Sequence, residues 1–308
     1  MNSGRLKYFI AAISSTVMWG FFSIPLRNLK DYPAEEILHY RIFTSLLITW
    51  LIILFFRRGK FLNDIEYVKK QSPADRKRLL WLTLTAGLLI TGNWFSFIYA
   101  VNHVSLKSAA FAYMVCPLIT ALGGFLILKE HLTQIKLMAL AIAFTSILIL
   151  AGGSFTDVMW SVFIAALYAF YLIIQRVVTS IDKLNMLGVQ LIISVVLMFP
   201  LFAMHFDRFP TDIHFWVNIA VISVVFTIIP LFLSLYSLVG LPSSTLGIII
   251  YINPVVAFAV AIFYFDEGIS PVQILAYLLL LAAVIVFNWA LISDIVKSKI
   301  KRHSTEIA

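Results

Sequence analysis

Residues 108–130 read SAAFAYMVCPLITALGGFLILKE, and residues 245–267 read TLGIIIYINPVVAFAVAIFYFDE. In both, a proline stands at the same internal position, Pro117 and Pro254, and no charge occurs before the final two residues. A run of roughly 20 apolar residues, rising about 1.5 Å each, crosses the roughly 30 Å of bilayer hydrocarbon as a helix. Inside lipid every backbone group must be paired internally, which leaves helices or a closed barrel. The apolar residues come in unbroken runs, not in period-two alternation, and this excludes the barrel. The rest of the chain agrees. It has 308 residues, of which 61% are hydrophobic and 12% charged. Soluble domains carry about 25% charge, so this chain can neither cover a water-facing surface nor remain disordered.

The pattern predicts an all-α polytopic membrane protein with ten transmembrane helices, at 8–26, 35–56, 79–101, 108–128, 135–152, 158–175, 186–206, 215–238, 244–265 and 273–292. The first follows Arg5 and Lys7 but is too long for a signal peptide and lacks a small-residue cleavage site, so it is read as a permanent span. Segment 57–78, with its Lys69-Lys70 and Arg76-Lys77-Arg78 runs, reads as a solvated cytoplasmic loop. Charge placement orients the spans. The side holding the N-terminus, the loops after even-numbered spans and the C-tail carries 18 Lys and Arg. The other side carries only Arg27, Lys30, Lys107 and Arg208. By the positive-inside rule both termini are expected in the cytoplasm. The net charge of +8 then serves orientation and lipid-headgroup contact, so no nucleic-acid partner is expected. Cys116, the single cysteine, cannot form an intrachain disulfide.

The two quoted stretches belong to an internal repeat. A shift of 137 residues aligns Ser108 with Thr245, Pro117 with Pro254, Glu130 with Glu267 and Ala139 with Ala276. The copies fall in the fourth and ninth spans, an odd offset of five, so the halves run in opposite orientation. The expected organisation is a first five-helix repeat at 1–153, an inverted second at 154–292 and a basic tail at 293–308. Inverted repeats of this kind place a substrate site near the midplane between halves.

Candidate site residues follow from depth. Arg41 lies roughly 9 Å inside span 2 at about 1.5 Å per residue, where an arginine is costly. It can snorkel outward, or face a cavity and hold a carboxylate by paired hydrogen bonds. Glu36 and His39 are one turn apart near the outer end. They suit a gate or coupling pair, although an acid in a first helical turn also suits the helix dipole. No Asp or Glu sits deep in any span, so proton coupling is open but not indicated, and facilitated diffusion or exchange fits at least as well. Trp19, Trp94, Tyr113, Tyr168, Tyr171 and Tyr251 lie inside spans, away from the interfacial belts. Tyr168, Tyr171 and Gln175 form one helical stripe, fit for a cavity wall or for helix packing. Asn93 and Asn253 must bond across helices or to substrate. Pro117 and Pro254 are candidate hinges. Ser108, Ala112, Cys116, Thr120 and Gly124 form a stripe of small residues that lets helices approach closely.

Three stretches resemble the RarD-like branch of the EamA family, in the drug/metabolite transporter superfamily. They are Met18-Trp19-Gly20 with Pro33-Ala34-Glu35-Glu36-Ile37-Leu38-His39-Tyr40-Arg41; Gly92-Asn93-Trp94-Phe95 through Asn102; and Thr245-Leu246-Gly247 with Tyr251-Ile252-Asn253-Pro254 and Asp266-Glu267-Gly268. The resemblance implies a five-plus-five helical fold around a central cavity in a bacterial cytoplasmic membrane. It also implies transport of small organic solutes, with export the usual direction. Tyr40 stands where the branch usually has His. The expected activity is a secondary carrier without cofactor or metal, whose partners are a small-molecule substrate and the lipid bilayer, acting as a monomer or weak dimer. A polytopic membrane enzyme and a channel are the alternatives. The chain shows no His-Glu-x-x-His and no phosphate loop, because Gly59-Lys60 lacks the rest of that motif. A repeat enclosing one site favours a carrier over a channel, which would want a continuous polar pore.

Overall fold

A computed structural model of the chain describes residues 3–103, 106–150, 155–205, 209–266, 270–290 and 293. The expected boundary between repeats at 153, Glu267, and the tail apart from Ser293 lie outside the described residues. Among the described residues every regular element is helical. They are α1 (Ser3–Gly20), α2 (Ser23–Arg27), α3 (Ala34–Leu51), α4 (Arg58–Lys70), α5 (Pro73–His103), α6 (Leu106–Leu128), α7 (Gln134–Leu150), α8 (Phe155–Val177), α9 (Lys183–His205), α10 (Ile213–Ser223), α11 (Ile229–Gly240), α12 (Ser243–Ile249), α13 (Ile252–Phe263) and α14 (Pro271–Phe287). Two π-helical stretches, Ile52–Phe56 and Val224–Ile228, extend α3 and join α10 to α11.

Among the described residues seven helices are long and apolar enough to cross a membrane: Arg5–Arg27, Glu35–Phe56, Pro73–Ala100, Val158–Val177, Lys183–Met204, Ile213–Gly240 and Ser243–Phe263. Three shorter apolar helices, Ala112–Leu128, Gln134–Ile149 and Pro271–Phe287, fall where spans 4, 5 and 10 are expected. Large apolar side chains such as Phe55, Leu126, Met138, Phe163 and Leu278 stand exposed. Outward-facing apolar surface of this extent is what lipid covers.

Three segments differ from the sequence reading. Segment 57–78 is not a loop but α4, a two-residue link and the start of α5. Neither glycine nor proline occurs between Gly59 and Pro73, and Glu66 pairs with Lys70 one turn on at 2.6 Å. No α4 side chain is buried, so the segment is solvated as expected, but helical. The first span breaks at Phe21–Phe22, where tight bonds run from Phe21 N to Met18 O and from Phe22 N to Trp19 O, both 3.1 Å. Pro25, just beyond, has no N–H with which to continue the α-helical ladder. The ninth span breaks at Ile250–Tyr251, before Pro254.

The main core cluster joins the interior faces of eight helices, through residues such as Ala12 (α1), Ile42 (α3), Ile90 (α5), Cys116 (α6), Ile164 (α8) and Leu235 (α11). A second cluster joins α6, α7, α12 and α14. The small-residue stripe of α6 packs on α12: a Cβ added to Gly247 would lie 2.8 Å from the Cβ of Thr120. Without a hydrophobic force between helices in lipid, such close backbone approach is a principal source of packing energy. The side chain of Ser108, at the head of that stripe, lies outside the described residues.

Candidate functional site

Arg41 turns into the bundle. Its Nε donates to Thr227 Oγ1 at 2.8 Å, and its guanidinium lies 5.4 Å from the ring centre of Phe22 and 5.2 Å from that of Trp94. Thr227 sits in the second π-helical stretch and donates in turn to the Ile222 carbonyl at 2.9 Å. One residue before that stretch, the Ser223 hydroxyl donates to the Arg41 carbonyl at 3.1 Å. No carboxylate pairs with Arg41 among the described residues, and its two terminal nitrogens make no hydrogen bond there. A guanidinium offers five donors in a planar fork, and here only the Nε donor is spent.

A chain of contacts leads inward from Arg41. Trp19 donates through Nε1 to the carbonyl of Phe226, next to Thr227, at 3.0 Å, and meets Tyr168 edge-on at 6.3 Å. The rings of Tyr168 and Tyr171 stack at 5.8 Å, and the Tyr171 hydroxyl donates to Gln190 Oε1 at 3.2 Å. The stripe Tyr168, Tyr171 and Gln175 therefore faces inward, fully or almost fully buried. Several polar atoms in and around it have no partner within hydrogen-bonding geometry: the Tyr168 hydroxyl and both amide atoms of Gln175 on the stripe, Gln190 Nε2 on α9 and Ser234 Oγ on α11. Tyr251, at the break between α12 and α13, is buried with its hydroxyl unpartnered as well. Each such orphan costs about 1–3 kcal/mol, which is tolerable where a ligand or water completes the set.

The other expected residues divide. Tyr113 packs on Phe97 at 5.4 Å and lies within electrostatic reach of Arg41. Asn93 donates to the Ile164 carbonyl at 2.9 Å, tying α5 to α8. Asn253 is half-buried in the first turn of α13, its backbone N–H bonded to the Ile250 carbonyl at 2.9 Å. That bond takes the carbonyl which Pro254 leaves free. Pro117 lies inside an uninterrupted α6. Glu36 and His39 do not join the Arg41 group. They line a cavity of about 1000 Å³ at the end of the bundle where α3 begins.

The opposite end is closed by polar contacts. Arg57 pairs with Asp182 at 2.7 Å, and Asn185 donates to Asp64 at 2.6 Å. Arg176 donates to the Leu238 carbonyl at 2.6 Å. Glu130 accepts from the backbone N–H groups of Ser243 and Ser244 at 2.7 and 2.9 Å, and from the Ser243 hydroxyl at 2.9 Å. Sequence reading missed Thr227, Ser234 and Gln190. A serine or threonine in a span is too cheap to stand out, since its hydroxyl bonds back to its own helix. Gln190, an amide inside an apolar run, was detectable by the criterion that found Gln175.

Residues 6–152 and 156–289 each match the model of the EamA-like transporter family, so the chain belongs to that family. It is a membrane transporter, a multi-pass protein of the bacterial inner membrane. Among curated proteins it is similar to the uncharacterized transporter YojE of Bacillus subtilis, 28% identical over 90% of this chain and 91% of that one. It also resembles the protein RarD of Streptomyces exfoliatus, at 28% identity over 88% and 85%, and the protein RarD of Escherichia coli, at 23% over 90% and 92%. A solved crystal structure superposes with a TM-score of 0.72 over 92% of this chain and 98% of its own. Its 15% identity makes that a likeness of fold alone.

Proposed function

We propose that the chain is a secondary carrier that moves a small organic solute bearing a carboxylate or similar anionic group, and that Arg41 holds that group. The observation that carries this reading is the guanidinium deep in the bundle, flanked by Phe22 and Trp94, with its terminal nitrogens unspent. A planar fork of donors matches a carboxylate in two parallel bonds. The inward stripe of Tyr168, Tyr171 and Gln175 then lines the path for the rest of the solute, with its orphan donors and acceptors met by substrate or water. The two halves, 1–153 and 154–292, move against each other in alternating access, with Pro117 and Pro254 as hinges. Both termini face the cytoplasm, export is the working direction, and the unit is a monomer or weak dimer. The contacts around Arg57, Asp182 and Glu130 support a form closed on the cytoplasmic side, with the cavity near Glu36 and His39 on the outer side.

The test is a thermal-shift screen of purified protein against amino acids, organic anions, nucleobases and antibiotics, followed by liposome transport of each hit. A ligand that binds only the folded state raises the melting temperature by mass action. Arg41→Ala is expected to abolish both the shift and transport while the unliganded melting temperature stays near wild type. Arg41→Lys keeps the charge but loses the fork, and is expected to bind weakly. Wild-type transport by Arg41→Ala would remove Arg41 from the site.

A further inference from the structure

We propose that α4 is a releasable strap over the end of the bundle opposite the cavity, and that lifting it opens a path along α9 to the interior. The proposal rests on the reading that this end faces the cytoplasm. α4 and the Arg57 before it lie in the first half of the chain, yet they are tied to the link between α8 and α9 in the second. Two carboxylates make the tie. Asp182 accepts from Arg57 Nη2 at 2.7 Å, with Lys60 Nζ at 3.9 Å. Asp64 accepts from the Asp182 N–H at 3.1 Å and from Asn185 Nδ2 at 2.6 Å. Val68 adds an apolar contact with the cluster of Val178, Ile181 and Met186, and Phe61 meets Trp50 edge-on at 5.3 Å. The side chains of Arg57 and Asp182 are 21% and 18% exposed, and α4 buries none of its own. Ion pairs open to water contribute little, and segments with few buried apolar contacts are the first to open locally. α4 is therefore held by contacts that a small change in free energy can break.

What the strap covers is polar. From its first residue inward, α9 carries Lys183, Gln190 and Ser194 at i, i+7 and i+11, one helical face, and each is no more than 4% exposed. Lys183 Nζ donates to the carbonyls of Gln175 and Val178 at the end of α8. Gln190 Oε1 accepts from Tyr171 at 3.2 Å, and the Ser194 and Thr91 hydroxyls lie 2.7 Å apart. Polar side chains inside a membrane bundle are costly and mark solute paths. Apolar residues would serve a permanently dry interface better, whereas a wall that meets water in a second state needs polar ones. The stripe begins directly under the strap, where that water would enter.

The experiment follows access rather than transport, so it needs no substrate, and its result stands whether or not Arg41 holds a carboxylate. Ser234→Cys in a Cys116→Ser chain is labelled with a membrane-impermeant maleimide in inside-out and right-side-out membrane vesicles. Ser234 is fully buried on α11, one turn before Leu238, whose carbonyl accepts the Arg176 bond. Adding Arg57→Ala with Asp64→Ala is expected to raise the labelling rate about tenfold from the cytoplasmic face, as the open population rises by that factor, and to leave the outer face unchanged. Adding Glu66→Ala instead, which breaks only the exposed pair with Lys70, is expected to change neither. Unchanged labelling in the double variant would overturn the proposal, as would an equal rise with Glu66→Ala or a rise from the outer face. If Ser234→Cys does not fold, Cys116 of the native chain, 1% exposed, is the reporter. If the double variant does not fold, the chain with α4 intact decides. In about 1 M potassium chloride, where the Debye length falls to about 3 Å, its labelling from the cytoplasmic face is expected to rise about threefold, and a flat response would overturn the strap.

Discussion

α6 stays helical through Pro117, whereas its counterpart 137 residues later is cut into α12 and α13 at Ile250–Tyr251, just before Pro254. The two segments nevertheless end alike. Lys129 and Asp266, equivalent under the same shift, are the non-glycine residues with left-handed backbone among those described, at φ of 54° and 51°. The difference therefore lies in the middle, and it follows from what each half-segment is fastened to. α12 is pinned at its start by Glu130 and along its length by the contact of Gly247 with Thr120. α13 packs elsewhere, against α1, where a Cβ on Gly20 would lie 2.4 Å from Val256. A chain held by two different partners needs a breakpoint, and proline supplies one. α6 packs most extensively on α8 and stays helical, so its proline is absorbed. A proline permits a break; the neighbours decide whether it occurs.

That account can be broken at its strongest point. Glu130→Ala removes an acceptor for three donors at the start of α12, and is expected to cost about 3 kcal/mol, since bonds to charged groups are worth about 1.5–3 kcal/mol each and α12 relaxes in part. Thermal melting of the purified protein reads it, and an unchanged midpoint would show that α12 is not pinned there. The two prolines sharpen the comparison. Pro117 sits in a helix interior, where proline costs about 3 kcal/mol, so Pro117→Ala is expected to raise the melting temperature. Pro254 is in the first turn of α13, where the N–H would be unpaired anyway, so Pro254→Ala is expected to change it little. Equal shifts would mean that the two positions are alike after all. Gly247→Ala is expected to destabilise by about 1–3 kcal/mol through overpacking on Thr120. Gly59→Ala, with nothing within 4 Å, is expected to stay within about 0.5 kcal/mol. If the two glycine variants melt together, the close approach of α6 and α12 carries no energy.

Most of the helical fold is legible in the sequence because lipid imposes a simple rule: a polar backbone must pair within its own span. The runs at 35–56 and 186–206 reappear as α3 with its π-helical extension and as α9 within a few residues. The helical state of α4 was not legible, since its charge pattern reads equally as a solvated loop. Of the candidate site, Arg41 stood out because a lone charge in a span is expensive. Its partner Thr227 did not, because a threonine hydroxyl bonds back to its own helix and only packing shows what else it meets.

Composition and periodicity by themselves determined that this chain lives in a membrane, that its elements are helices, and that its two halves echo each other. These properties follow from transfer energies and backbone pairing, which act on each segment alone. Only the tertiary structure decided that Arg41 and Glu36, five residues apart on one helix, belong to different places. Arg41 lies in the bundle against Thr227, and Glu36 on the wall of the cavity where α3 begins. Only tertiary structure decided, too, which of two equivalent prolines accompanies a break. Both outcomes depend on contacts between segments far apart in the chain, and no local pattern encodes them.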